Sequence, residues 1–470
     1  MRFGSPCGLA FALKRAKGDD ARLVQGLSAL RERFAGEIVL PADPGYDGAR
    51  AVWNGMVDRR PAVVVRPASV DDVIAAIRFA REQDLLIAVR CGGHSIPGLS
   101  TCDDGIVIDL SRMGGAQVDR ERRTARVNGG ALLADLDEAA QEVGLVCPVG
   151  VVSHTGVAGL TLGGGMGRLQ RKFGLTLDNL LSVDLVTADG RVVHASAEEG
   201  PDLFWGLRGA GPNFGIVTSF EFRLHPLDHP VTFGAVTHPI ERARDLAALW
   251  RELAETGPDE LFLSFGLAND DGGVAYVTAL HSGRVEQAER DLAGLRAFGP
   301  PITDTITPMA YLDTQHLNDD PQGWGHRFYM KSAFLPSLPD EVVDLCVEHA
   351  TRAPDVTECG FSIWAWGRTI ADVPEDATAF TGRQAAAWLA AEAMWDDAEL
   401  DEPCRAWGRA ALADVAPFAS AGRYVNDVAE VGADVARSIY GGSKYERLVA
   451  LKREWDPDNV FRLNQNVRPD

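Results

Sequence analysis

The chain has 470 residues and a net charge of −21, from 46 basic and 67 acidic side chains. That length exceeds one ordinary core, so two or three domains are expected, and the acidic balance argues against nucleic acid or an anionic membrane surface as partner. Seven cysteines in no pairing pattern, no His/Cys cluster at metal spacing and no apolar stretch long enough for a bilayer point to a cytoplasmic protein without structural metal.

Residues 1–25 read as an N-terminal extension. Its apolar run Cys7–Leu13 is short for a signal segment and is followed by Lys14 and Arg15. Ser69 with Asp71 and Asp72 reads as the capped start of a helix carrying Val73, Ile74 and Ile77. Leu85–Val89 and Ile106–Leu110 are strand candidates, and Ala131–Val143 is a helix ended by Gly144. Ser182–Thr187 and Arg191–Ala195, joined by Asp189-Gly190, predict a hairpin. His225-Pro226 and His229-Pro230 mark a boundary. Beyond it, helical stretches such as Arg242–Glu255 alternate with strand-like runs at Leu261–Phe265, Val274–Leu280 and Phe361–Trp366.

Two glycine-dense segments stand out. Residues 89–98 hold Arg90-Cys91-Gly92-Gly93-His94-Ser95; residues 151–167 hold Val152-Ser153-His154-Thr155-Gly156 and Gly163-Gly164-Gly165. Loops of this kind bring backbone N–H groups close to phosphate, because glycine adopts the required conformations without a Cβ clash. Neither matches the dinucleotide fingerprint. Arg168 stands where the last glycine of that pattern belongs, and Gly209-Ala210-Gly211-Pro212-Asn213-Phe214 fails at the same position.

These segments, with Tyr46–Arg50, Trp53-Asn54, Asp178-Asn179, Gly209–Val217 and the closing Tyr440, Tyr445, Lys452, Asp456–Phe461 and Asn464–Asn466, resemble the vanillyl-alcohol-oxidase superfamily of FAD enzymes. Within it they are similar to the berberine-bridge-enzyme-like oxidases, and Val151–Gly156 looks closest to the enterocin-pathway Favorskiiase subgroup. The resemblance implies an α+β fold: a two-subdomain FAD-binding domain of the PCMH type (26–228, completed by 422–470) with an inserted substrate domain (229–421), an antiparallel sheet covered by helices. It assigns FAD to Arg90, Cys91, Gly92, Gly93, His94 and Ser95. It further assigns it to Val152, Ser153, His154, Thr155, Gly156, Gly159, Leu160, Gly163 and Gly164, and to Gly215, Val217 and Asn464.

In that family a histidine at the position of His94 commonly carries the flavin covalently. A second, cysteine link would fall at position 152, which is Val152, so one covalent bond is expected. Cys147 and Cys91 read as buried small hydrophobes. Thr155 faces the reactive edge of the flavin in the resemblance; its small size favours oxygen access, and the subgroup is associated with a flavin-N5-oxide. His154 reads first as a loop-structuring residue.

A base must accept the substrate proton. The resemblance places a glutamate at Ser362, which cannot serve. Asp427, after Tyr424-Val425-Asn426, is the candidate, with Tyr424 beside it. Arg168 would favour an anionic or polyoxygenated substrate, and Ser362, Trp364, Trp366, Tyr329 and Lys331 are lining candidates. The expected activity is oxidation of an alcohol, phenol or polyketide-like molecule in secondary metabolism, with O2 as electron acceptor, by a monomer or homodimer. A carbohydrate oxidase and a flavin-binding protein without turnover stay open as alternatives.

Overall fold

The computed structural model describes residues 18–469. The expected extension lies mostly outside them, and a helix over Gly18–Arg33 runs through residue 25. The first sheet contains β1 (Glu37–Val39), β2 (Val63–Arg66), β3 (Ile87–Arg90) and β4 (Ile106–Asp109), in the order β1-β2-β4-β3. β2, β4 and β3 are parallel, and Val63, Val64, Val65, Ile106, Val107 and Ile108 are fully buried. Uninterrupted apolar runs of this sort suit strands covered on both faces. The helix Val70–Glu82 packs here; the Ser69 hydroxyl accepts from the Asp72 N–H at 3.2 Å, as the sequence predicts. β3 delivers the chain directly into the first glycine loop.

The second sheet is antiparallel, in the order β5-β6-β10-β8-β9: β5 Ala116–Asp119, β6 Thr124–Asn128, β8 Leu180–Val186, β9 Val192–Ser196 and β10 Ile216–Arg223. β8 and β9 form the predicted hairpin, with Gly190 at φ +81° in its turn. The second glycine segment is not all loop. Val157–Gly163 is a helix of two turns, its C-terminus stopped by Gly164. His225-Pro226, near the expected boundary, forms a short strand β11 pairing with β7 (Leu145–Val146).

The third sheet is antiparallel, in the order β15-β12-β14-β13-β18-β19-β17, with β16 also on β12. Its strands are β12 Val231–Pro239, β13 Leu261–Ala268, β14 Val274–His281, β15 Thr303–Asp304, β16 Thr307–Met309, β17 Arg327–Leu335, β18 Glu358–Ala365 and β19 Ala387–Trp395. Alternation decides what each face does. Phe361, Ile363 and Ala365 of β18, with Leu389, Ala391 and Trp395 of β19, pack on the helices Ala243–Thr256, Asp340–Thr351 and Asp401–Val415. The intervening residues face the other way, toward the first two sheets.

The chain returns through the turn Val425–Asp427 and the helices Ala433–Tyr440 and Gly442–Trp455. Lys452, fully buried, donates to Asn213 O, Phe461 O and the Asp456 carboxylate at 2.8, 2.8 and 2.7 Å, fastening this segment beside β10. No helix among the described residues is long and apolar enough to cross a membrane.

Candidate active site

A cavity of about 710 Å³ lies between the glycine segments and the free face of the third sheet, within the range of about 300–1,000 Å³ of small-molecule sites. One wall is backbone: Cys91, Gly92, Gly93, His94 and Ser95 from the first loop, and Val152, Thr155, Gly156, Gly159 and Leu160 from the second. The loops touch main chain to main chain. A Cβ on Gly92 would stand 2.2 Å from Gly156 N, and one on Gly156 would stand 2.4 Å from Gly92 N. Gly215, Val217 and Asn464 complete this wall.

The opposite wall is side chain: Ser264, Tyr276, Glu358, Ser362, Trp364, Trp388 and Glu392, with Asp427 reaching in from the returning segment. The Asp427 carboxylate accepts the Trp388 indole N–H at 2.9 Å. Desolvation pushes its pKa up to about 7, against the pull of hydrogen bonds from Ser332 and Trp388. Glu392 is raised well above the carboxylate range by desolvation, then by the charges of Glu358 and Asp427. Glu358 is raised too, by desolvation and then Asp270.

His94 sits where the two walls meet. Its ring stacks on Trp53, with centroids 4.9 Å apart and planes 17° from parallel. Its Nε2 lies 2.7 Å from His154 Nδ1. Desolvation, reinforced by His154, lowers its pKa to about 3, so the imidazole is neutral. Val152 lines the cavity at the position of the second link, while Cys147 is wholly buried away from it. Cys91 lines the cavity, and burial pushes its thiol up to about 12.

Several expected contacts fall elsewhere. Arg90 does not line the cavity; it braces the loop by donating to Asp109 and to the Ala49 carbonyl, both at 2.6 Å, and to that of Ala51 at 2.9 Å. Gly163 and Gly164 are small for another reason than cofactor approach. A Cβ on Gly163 would lie 2.0 Å from Asn426 Oδ1, and one on Gly164 2.6 Å from the Tyr424 ring. The Tyr424 oxygen accepts from Gly165 N–H and Asn426 Nδ2, each at 3.0 Å, so it anchors the segment, and burial raises its pKa. Ser153 and His154 stand behind the wall. The Ser153 N–H and hydroxyl bind the Asp319 carboxylate at 2.8 and 2.6 Å.

On the substrate side, Ser362 and Trp364 line the cavity, the Trp364 indole donating to Ser362 Oγ at 2.9 Å. Tyr329 does not: its parity on β17 puts it among the helix-facing core residues. Trp366 packs with Phe334 and Phe380, and Lys331 pairs with Glu430. Arg168 reaches the wall, but one guanidinium nitrogen donates to Thr314 O at 2.7 Å and its plane lies over Phe233 at 4.8 Å. Desolvation lowers it to about 10, which still leaves the guanidinium charged at neutral pH. Ser362 holds the position at which the resemblance implies a strand glutamate, and two other glutamates line the same wall. Glu358 lies on the same strand and Glu392, opposite Gly360, on the next. Its signal in the sequence is one charged residue in the apolar run Ala387–Trp395, at the same parity as Trp388.

The residues fit FAD. A Cβ on Gly159 would meet nothing within 4 Å, so the main chain there opens directly onto the cavity. Asn464 Oδ1 and Gln465 Oε1 are buried acceptors without a protein partner on the same lining, suited to N–H or O–H donors of a bound group.

Residues 61–196 match the family of FAD binding domains, and 423–468 match the family described as berberine and berberine like. The chain is 33% identical to (R)-6-hydroxynicotine oxidase of Paenarthrobacter nicotinovorans over 93% of its own length and 97% of that protein. It is 30% identical to the FAD-linked oxidoreductase pgmH of Aspergillus terreus, over 96% and 97%. The crystal structure of 6-hydroxy-D-nicotine oxidase from Arthrobacter nicotinovorans superposes with a TM-score of 0.86 at 31% identity, covering 93% of this chain and 98% of that one. Full-length similarity of this kind, over a cavity built for FAD and a small reductant, places the chain in the berberine-bridge-enzyme-like family of FAD-linked oxidoreductases, within the vanillyl-alcohol-oxidase superfamily, as an enzyme that oxidises small molecules.

Proposed function

We propose that this enzyme carries FAD on one covalent bond to His94, takes the substrate proton on Asp427 and returns electrons to O2. The observation that carries the reading is the single cavity that joins His94 and the facing Gly92 and Gly156 loops to a buried carboxylate on the far wall. FAD, when bound, supplies the hydride acceptor. The chain's own residues do the rest. Gly92, Gly93, Gly156 and Gly159 leave main chain bare for the cofactor. Trp364, Trp388 and Tyr276 exclude water from the substrate. Asp427, its pKa raised to about 7 by desolvation, can exchange a proton near neutral pH and removes the hydroxyl proton, while Glu392 keeps its own proton and can donate a hydrogen bond. Two carboxyl groups pushed apart in pKa in this way divide acid and base roles. Thr155, a small residue on the loop wall of the cavity, would leave room for O2 beside a bound flavin.

Val151–Gly156 supports the Favorskiiase-like subgroup and an alcohol, phenol or polyketide-like substrate of secondary metabolism. The reading keeps the division 26–228 with 422–470 for cofactor and 229–421 for substrate, a monomer or homodimer, and a cytoplasmic site. The test is acid precipitation followed by digestion and peroxide assay across an alcohol and phenol panel. A yellow peptide containing His94 and peroxide release with a panel member are the expected results. Flavin free in the acid supernatant would overturn the covalent link.

A further inference from the structure

Among the described residues, Arg168 is the only arginine or lysine on the lining of the cavity, which also carries Glu358, Glu392 and Asp427. Its side chain is buried, with the residue only 7% exposed. Other buried arginines of this fold are answered by carboxylates: Arg90 by Asp109 at 2.6 Å and Arg383 by Asp178 at 2.7 Å. Arg168 has no such partner among the described residues. Its Nη1 is taken by Thr314 O and Gln315 Oε1, at 2.7 and 3.4 Å, and its Nε and Nη2 make no hydrogen bond to the described residues. Arg171 also lacks a carboxylate contact, but it does not line this cavity and closes the end of the helix Ala243–Thr256 through Ala254 O at 2.7 Å.

A buried cation without a counter-charge is costly, and this one is held in place. The guanidinium lies over the Phe233 ring at 4.8 Å. Gln315 behind it donates to Asp137 at 3.0 Å and to Gly150 O at 2.8 Å. The two unused donors, Nε and Nη2, belong to one planar fork, the shape that matches a carboxylate. Phe233 is on β12, and Trp388, the donor to Asp427, is on β19. β14, β13 and β18 lie between them, which makes four strand spacings, about 19 Å of backbone separation. Thr278, Ser264 and Trp364 form one row across those three strands and line the interval.

We infer that Arg168 holds a carboxylate of the substrate, at the opposite end from the carbon that is oxidised. The inference rests on the reading of this cavity as a site of alcohol oxidation with Asp427 as base. The substrate class is an elongated aromatic acid: its hydroxyl meets Asp427, its ring system lies along Trp364, and its carboxylate meets Nε and Nη2 of Arg168. An α-hydroxy acid, with both groups on one carbon, cannot span the interval. Because Arg168 is the one cation on the described lining, its charge also fixes which way round the substrate lies.

The experiment titrates the oxidised holoenzyme with para-phenylbenzoate and with para-phenylbenzamide, two probes of one shape, and reads Kd from the shift of the flavin absorption band. Wild type is expected to bind the acid at least about tenfold more tightly than the amide, the worth of one charge-assisted pair. Arg168→Met is expected to keep its FAD and its affinity for the amide and to lose the preference for the acid. Arg168→Gln, whose amide can still donate to Thr314 O, is expected to behave alike and decides the matter where Arg168→Met does not fold. Equal affinity for acid and amide in wild type would overturn the inference, as would a preference that survives in either variant. Loss of FAD from a folded variant would assign the guanidinium to the cofactor and overturn it too. Peroxide release from the acid bearing a para-hydroxymethyl group on its outer ring tests the underlying reading separately. An Arg168-dependent preference with no peroxide from this probe or from any alcohol or phenol would retain the carboxylate grip and overturn the alcohol oxidation.

Discussion

The indole N–H of Trp388 points at Asp427, 2.9 Å from Nε1 to Oδ2, across a cavity wall where both residues are otherwise buried. A strand residue of the third sheet thereby orients a carboxylate from the returning C-terminal segment. The bond leaves Asp427 polarised but without a cationic partner in hydrogen-bond contact, and a desolvated carboxylate of that kind titrates high.

Asp427→Asn keeps the shape and removes the proposed base. Anaerobic stopped-flow reduction of the flavin by a working substrate should slow by roughly two to four orders of magnitude. In the wild type the rate should rise as pH passes through about 7, and the variant should lose that rise. An unchanged rate would move the base elsewhere.

The same carboxyl sets a pH term in stability. In the folded apoprotein it holds its proton to about pH 7, whereas an unfolded aspartate loses it near about 3.9. The folded state therefore binds more protons between those values. The contribution is full below about pH 4 and is lost as pH rises toward 7. Asp427→Asn should raise the melting temperature of apoprotein more at pH 8 than at pH 4; equal shifts would deny the burial effect.

A Glu392 variant tests the proposed division between the two carboxyl groups. Held protonated by desolvation and by Glu358, it already resembles an amide in charge. Glu392→Gln should leave flavin reduction within about tenfold of wild type, below the range expected for loss of a base. A fall of several orders in the same stopped-flow assay would make Glu392, not Asp427, the proton acceptor.

Thr155→Leu should fill the space on the loop side of the cavity and slow reoxidation of reduced enzyme in air-saturated buffer, leaving anaerobic reduction little changed. Equal reoxidation rates in both proteins would remove Thr155 from the oxygen path.

Gly163→Ala tests the packing beneath the loop. The added methyl would fall 2.0 Å from Asn426 Oδ1 and must displace the Asn426–Tyr424 pair. A cost of roughly 1–3 kcal/mol is expected from such overpacking, read as a lower urea midpoint at constant slope. No shift would mean the turn Val425–Asp427 yields freely.

What the sequence determined by itself was local. Glycine density at 92–93 and 156–165, the Ser69 cap and the Asp189-Gly190 turn follow from backbone sterics and short-range hydrogen bonds, and each lies within a few residues of its cause. Strand periodicity likewise marked β13, β14 and β18 before any fold was known. Tertiary structure decided which residues face the cavity. Tyr329 and Trp364 look alike in sequence, but the pairing register of β17, β19 and β18 sends one to the helices and the other to the site, because a shift of one residue reverses a strand's faces. Glu392 went unassigned for the same reason, since its neighbours Gly360, Tyr276 and Asp427 arrive from distant segments. Only their meeting strips the carboxyls of water, and it is that desolvation, absent from any local stretch of chain, that raises the pKa of ordinary acidic residues.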